Sequence, residues 1–472
     1  MYRRDALKSL ASGFGYLAFA SLAQEAAARD ASSIRTDVLA QHATHFAPRA
    51  KRVVFLCMKG GPSHVDLLDY KPELNRRTGK PSGIGGQGKG PKLLGSPFGF
   101  AQHGESGLWF SELTPHLAKH ADDLCVIHSM YTDVPNHSPA FVLMHTGSFQ
   151  FVRPSVGAWS LYGLGTENQN LPGFITLNPP SDNGGARNYG SSFLPAVCQG
   201  TRIGGSRIPE FYAKLLGKDQ EPGPPLKNVE NSFLSRSEQR QQLDLIRQLN
   251  TRKLERDVYH PEIEGAIESF ELAFRMQAEV PDVLDLSAET SETQSRYGIG
   301  TGLPSNQFGR QCLMARRLIE SGVRFVELTA PTSWDHHFLI QDQLPKSCHI
   351  ADQPVGALLD DLKQRGLLDD TLVVWAGEFG RTPYGQSGSG RDHNNKGYSI
   401  WMAGGGVKGG VTYGSTDEIG YQAIENPVHI HDWHATMLHL LGLDHERLTF
   451  NYGGRNFRLT DVHGRVVNEI IA

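Results

Sequence analysis

Cysteine is scarce in this sequence and has no pattern. The five thiols, Cys57, Cys125, Cys198, Cys312 and Cys348, include no C-x-x-C pair and share no regular spacing. A disulfide framework or a thiolate metal site is therefore not expected, and apolar neighbours make them small buried side chains. Clustered basic charge is also missing. The 472 residues carry a net charge of −4 with no Lys/Arg-rich run, which excludes a nucleic-acid partner, because phosphate backbones need a concentrated cationic surface. No internal repeat is present. Long apolar runs are absent too. The longest, Leu10 to Leu22, is too short and too rich in Gly and Ser to span a bilayer.

That run belongs to a recognisable export layout. Arg3 and Arg4 precede it and Ala26-Ala27-Ala28 follow, the order of a twin-arginine signal. We assign residues 1–28 to this signal and 29–50 to a polar linker. The expected location is the periplasm or cell envelope, with no membrane span in the mature chain. The twin-arginine route carries folded proteins, which suits a chain that takes up its metal before leaving the cytoplasm.

Apolar β-branched segments recur along the rest: "KRVVFLCMKGG", "LCVIHSM", "GFITL", "GVRFVEL", "TLVVWAG" and "YSIWMAGGG". Between them lie patterns of helical period, including "SELTPHLAKHADD", "FGRQCLMARRLIES" and "ADQPVGALLDDLKQRG". Strands that are apolar throughout, alternating with amphipathic helices, predict an α/β fold: a mostly parallel central sheet with helices on both faces. Residues 208–292 are charged and helical without strand signals. They read as a helical cap or insertion that splits the α/β core into 51–207 and 293–472. Two Gly-rich stretches, "GKPSGIGGQGKGPKLLGSP" and "GQSGSGRDHNNKG", read as surface loops.

In a parallel sheet, ligands bind beyond the carboxyl ends of the strands. Reading outward from each strand end collects imidazoles and carboxylates: His64 and Asp66 in "GGPSHVDLLD", His137 and Ser138 in "NHSPAF", Asp335 and His337 in "WDHH", Glu378 and Arg381 in "GEFGRTP", and His393 in "GRDHN". Each has an ordinary alternative. Ser138 has the look of a helix cap, His64 of a loop cap and Glu378 of a carboxylate on a helix dipole. Together they suit one or two divalent ions, with Zn, Mn or Fe favoured over Mg or Ca because imidazole is a ligand. His336, between Asp335 and His337, points the other way in an extended loop.

These segments, with "AGGGVKGGVTYGSTDEIG", resemble the exported sulfatase-like family known as domain of unknown function 1501, and more distantly the alkaline phosphatase/sulfatase superfamily, over about Val53 to Ile470. The resemblance implies a metal-dependent hydrolase of phosphate or sulfate esters, acting on a small-molecule or glycan ester. By position, Asp335 and His337 match ligands of a first metal and His393 a later lone His ligand. Glu378, with His64 or Asp66, would complete a second site or orient the first. In the sulfatase pattern the nucleophile position is His137, with Ser138 one residue out of register and Phe141 at the usual Arg. Phe379 replaces a ligand His, and the usual Asp after the first strand is missing. His137 or Ser138 is the expected nucleophile or its neighbour, and Arg381 an anion clamp. His431 and His434 rank as packing residues. The departures leave two alternatives open: a non-catalytic exported binding protein that keeps the fold and a structural metal, and a metal-dependent isomerase or mutase. Oligomeric state is not read from the sequence.

Overall fold

The computed structural model describes residues 38–84, 90–205, 233–256, 261–386 and 389–472. The export signal, residues 29–37 of the linker, and the stretches 206–232 and 257–260 of the expected cap lie outside the described residues.

The central sheet is built from β1 (Arg52–Cys57), β2 (Leu124–Tyr131), β3 (Phe174–Leu177), β4 (Thr201–Ile203), β5 (Phe325–Thr329), β6 (Thr371–Ala376), β7 (Tyr398–Ala403), β8 (Val411–Tyr413) and β9 (Val428–His429). Spatial order is β8-β2-β7-β6-β1-β5-β3-β4, with β9 added beside β2. Only β7 runs antiparallel to its neighbours, so β2, β6, β1, β5 and β3 all point the same way. The fold is the mostly parallel α/β sheet expected from the apolar strands. The short edge strands, β4 beside β3 at one margin and β8 and β9 beside β2 at the other, carry no comparable apolar run and were not legible.

The helices are α1 (His137–Thr146), α2 (Val156–Leu164), α3 (Arg236–Arg256), α4 (Pro261–Leu284), α5 (Asn306–Glu320), α6 (Ile340–Gln364) and α7 (Ile430–Leu440), with shorter turns between. Alternation along β1 shows how both faces are covered. Val54 and Leu56 join the core beneath α5 and α6, while Val53, Phe55 and Cys57 join the core beneath α1, α2 and α7. In α6, Leu344, Cys348, Ala351, Val355, Leu358 and Leu362 recur every three or four residues and are buried, the stripe that fixes this helix on the sheet. All five cysteines are buried and free. α3 and α4 lie within the expected insertion, and Leu272 and Val280 of α4 anchor it to the two cores. Among the described residues, no helix is long and apolar enough to cross a membrane.

Two local readings change. "SELTPHLAKHADD" forms only a short 3₁₀ segment, Leu117–Asp123. The second Gly-rich stretch is not a plain loop: Gly380–Gln386 and Gly390–Asn394 pair antiparallel. Glycine there permits a tight approach rather than disorder, and the hairpin sets His393 opposite Arg381.

Candidate metal centre

The register of the sheet brings the site together. Cys57 of β1 lies level with Thr329 of β5 and Ala376 of β6. The next residues of each strand therefore emerge at the same edge: Lys59 and Gly60, the Trp334–His337 loop, and Glu378. β2 ends on this edge as well and leads through Pro135 into α1, whose first residue is His137.

Four side chains converge there. One ligand atom each from His137, Asp335, His337 and His393 lies within 4.8 Å of the others. The three Nε2 atoms face a single carboxylate oxygen, Asp335 Oδ1, at 3.2 Å from His137, 2.8 Å from His337 and 3.5 Å from His393. Each Nδ1 is occupied on the outer side: His137 by Glu378 Oε1 at 2.6 Å, His393 by the Pro135 carbonyl at 2.7 Å, and His337 by Gln386 Oε1. Carboxylate and carbonyl oxygens only accept, so they fix Nδ1 as the protonated nitrogen and turn the Nε2 lone pairs inward. His337 and His393 then face each other with Nε2 atoms 3.0 Å apart. Two lone pairs at that distance repel unless a cation lies between them. Buried His137 Nε2 has no aligned hydrogen-bond partner of its own. Three imidazole nitrogens and one carboxylate, each steadied from behind, fit a divalent transition metal.

The backing is itself buried. Glu378 has no exposure; its two oxygens accept the Gly60 N–H at 3.1 Å each, and one also accepts from His137. Arg381, equally buried, donates to the carbonyls of Gly60, Gly61 and Arg391, and through Nη2 to Asp335 Oδ1 at 2.5 Å. Gly60 must be glycine. Its φ is +116°, and a Cβ would stand 2.6 Å from the Trp334 nitrogen and 2.7 Å from that of Asp335.

This geometry revises several roles. Of the two roles expected for Glu378, completing a second site or orienting the first, the geometry supports the second: it stands behind His137 and orients it. Asp66 is held by Arg391, with contacts of 2.6 and 2.9 Å, and accepts from Ser63. His64 turns Nε2 to the Gly420 carbonyl. Neither belongs to the cluster, so the residues proposed for a second ion are committed elsewhere. His137, read as a nucleophile, has one nitrogen bound to Glu378 and the other among the ligand atoms. Ser138 is exposed and donates to Asn183 Oδ1 at 2.9 Å, an amide oxygen that is no base. Arg381 is sealed beneath the site and cannot clamp an anion in the cavity. His336 is buried and meets Ser347 at 3.2 Å, away from the cluster, and burial lowers its pKa to about 4. His431 and His434 bond the carbonyls of Gly147 and Met144 in the core. Gln386 and the Pro135 carbonyl were missed, because an ordinary glutamine and a backbone oxygen carry no sequence signal.

Charge is unevenly shared between the proton and an incoming ion. Burial alone would lower the pKa of His137, but the carboxylates of Asp335 and Glu378 on either side outweigh it and raise it to about 9. Asp335, despite burial, is held well below the usual carboxylate range by His137, His393 and Arg381. A metal held by these four side chains would have to displace the His137 proton. Below pH 9, binding therefore releases about one proton, and apparent affinity should climb about tenfold per pH unit before levelling near pH 9. Competition with a chelator of known affinity measures this. A flat affinity between pH 6 and 8 would contradict the assignment.

The centre lies on the wall of a cavity of about 820 Å³, also lined by Lys59, Asp182, Asn183, Phe338 and Lys346. An α/β sheet whose strand ends carry three imidazoles and a carboxylate on an open cavity defines a candidate metalloprotein of the strand-end type. By sequence, residues 50–471 match the family described as protein of unknown function DUF1501, and the chain belongs to it. No curated protein matches it. Solved structures similar to the chain include the lipoteichoic acid synthase LtaP from Listeria monocytogenes, at 11% identity and TM-score 0.37, covering 90% of this chain and 79% of that one. A protein of the alkaline phosphatase superfamily from Vibrio parahaemolyticus is similar at 9% identity and TM-score 0.37, covering 86% and 70%. A phosphonate monoester hydrolase from Silicibacter pomeroyi is similar at 11% identity and TM-score 0.34, covering 89% and 76%.

Proposed function

We propose that the chain is an exported metal-dependent hydrolase of phosphate or sulfate esters. The observation that carries this reading is the inward aim of three Nε2 lone pairs on Asp335, with every Nδ1 tied to an oxygen. His137, Asp335, His337 and His393 would hold the ion, with Zn, Mn or Fe suited to the nitrogen donors. When bound, a divalent ion supplies a Lewis acid that neutralises ester charge and makes nearby water more acidic. The chain does the rest. Glu378 holds the His137 ring, Arg381 and Gly60 fix the Asp335 loop, and the N-terminus of α1, which begins at His137, adds a partial positive charge toward an anion. No side-chain nucleophile is poised: His137 has both nitrogens engaged and Ser138 faces an amide. The chemistry favoured is direct attack by water, without a covalent intermediate on the chain. Arg3-Arg4 and the short apolar segment behind them support export by the twin-arginine route.

The test is a screen of metal-loaded protein against aryl phosphates, phosphodiesters, phosphonates and aryl sulfates. Turnover of at least one class is expected, abolished by a chelator and restored by adding metal. Metal-replete, folded protein that turns over none of the four would favour the non-catalytic binding reading.

A further inference from the structure

The metal centre does not account for the cavity wall beside His337. Directly after that residue, Phe338 keeps 61% of its surface exposed, although a phenyl ring is ordinarily buried. Among the described residues it joins none of the hydrophobic cores. Its ring lies 6.4 Å from the His337 ring and lines the cavity. The next residue, Leu339, has φ +47°, in the left-handed region that a bulky side chain rarely adopts. Ser389 holds this turn: the Leu339 N–H donates to its hydroxyl at 3.1 Å and the Ile340 N–H to its carbonyl at 2.9 Å. Backbone strain of this kind clusters at ligand sites, and the side chain set beside the metal centre by this turn is Phe338.

α6 continues the wall. Gln343 and Lys346, three residues apart and so on one side of the helix, both line the cavity. Ser347 fixes their position. Its hydroxyl meets the Ser333 carbonyl and the Thr332 hydroxyl at 3.1 Å each and His336 Nε2 at 3.2 Å, which ties the second turn of α6 to the loop carrying Asp335. Other polar groups of the cavity are engaged within the protein: Asp182 meets Lys59 at 3.3 Å, and Asn183 accepts from Ser138. Lys346 differs. It is exposed, and among the described residues its ammonium has no hydrogen-bond or ion-pair partner. A bare phosphate or sulfate held at the metal would leave both the Phe338 ring and this charge unused. An ester whose leaving group lies over the ring and ends in an anion would use both.

We propose that Phe338 and Lys346 form a leaving-group subsite, and that the favoured substrate is an ester whose leaving group carries a second anion, a carboxylate, sulfate or phosphate received by Lys346. This deepens the functional reading above and rests on it. The test uses the metal-loaded full chain with analogues that hold no hydrolysable ester: phenylphosphonate and benzenesulfonate, each with and without a para carboxylate, measured by calorimetry. In whichever pair binds, the carboxylated member should bind wild type roughly two- to fivefold more tightly, the range of an exposed ion pair, and the preference should fade as added salt screens it. Lys346→Gln should abolish the preference while binding the plain member as wild type does, and Lys346→Glu should reverse it. Phe338→Ala should keep the metal and weaken both members. A wild type without preference, a preference that survives Lys346→Gln, equal weakening of both members by Lys346→Gln, or unchanged affinity in Phe338→Ala overturns the proposal and leaves the hydrolase reading standing. A folded, metal-loaded wild type that binds neither pair defeats the functional reading itself, and this inference with it.

Discussion

Replacing Asp335 with alanine is expected to lower divalent-metal affinity by more than a hundredfold. Loss of a group that merely orients a ligand typically costs ten- to a hundredfold, and Asp335 is both the one carboxylate in the cluster and the atom on which three imidazoles converge. Without it, His337 and His393 keep their facing nitrogens with no anion to offset a cation. The neighbouring His336→Asn is the control. His336 bonds Ser347 and faces away from the cluster, so its loss should leave metal content at the wild-type level. Equal metal loss from both variants would mean that the loop, rather than the carboxylate, holds the site.

Arg381→Met is expected to cost stability even in metal-free protein. The guanidinium is fully buried and satisfies three carbonyls together with Asp335. Removing one partner of a buried charge pair typically costs about 3–5 kcal/mol, and each orphaned carbonyl adds to that. The denaturant midpoint of stripped protein should fall accordingly. Using stripped protein matters, because a bound ion would add its own linkage to the apparent stability. A variant with wild-type midpoint and only weakened anion binding would restore the anion-clamp role read from the sequence.

The sheet was legible because central strands covered on both faces must be apolar at every position, as "RVVFLC" and "TLVVWA" are. The margin was not, since β8 and β9 are two or three residues long and carry no pattern. At the site, Asp335, His337 and His393 stood out as imidazoles and carboxylates at strand ends, and the structure brings them together with His137. Roles were harder to read than positions. A carboxylate that ligates and one that braces a ligand look alike in sequence, and only the fold shows Glu378 behind His137. The Gly-rich stretch from Gly385 concealed the strand bearing His393, because glycine signals a loop whether it frees the chain or lets two segments approach. Gln386 and the Pro135 carbonyl acquire meaning only through contacts spanning 49 and 258 residues of chain.

The central claim is that one divalent ion sits among His137, Asp335, His337 and His393. A crystal of the zinc-loaded chain, with data collected on both sides of the zinc absorption edge, tests it most directly. The account predicts a single anomalous peak bonded at ~2.0–2.2 Å to three Nε2 atoms and one Asp335 oxygen. A folded chain whose ordered zinc lies elsewhere, or whose four side chains stay empty at saturating zinc, would contradict it.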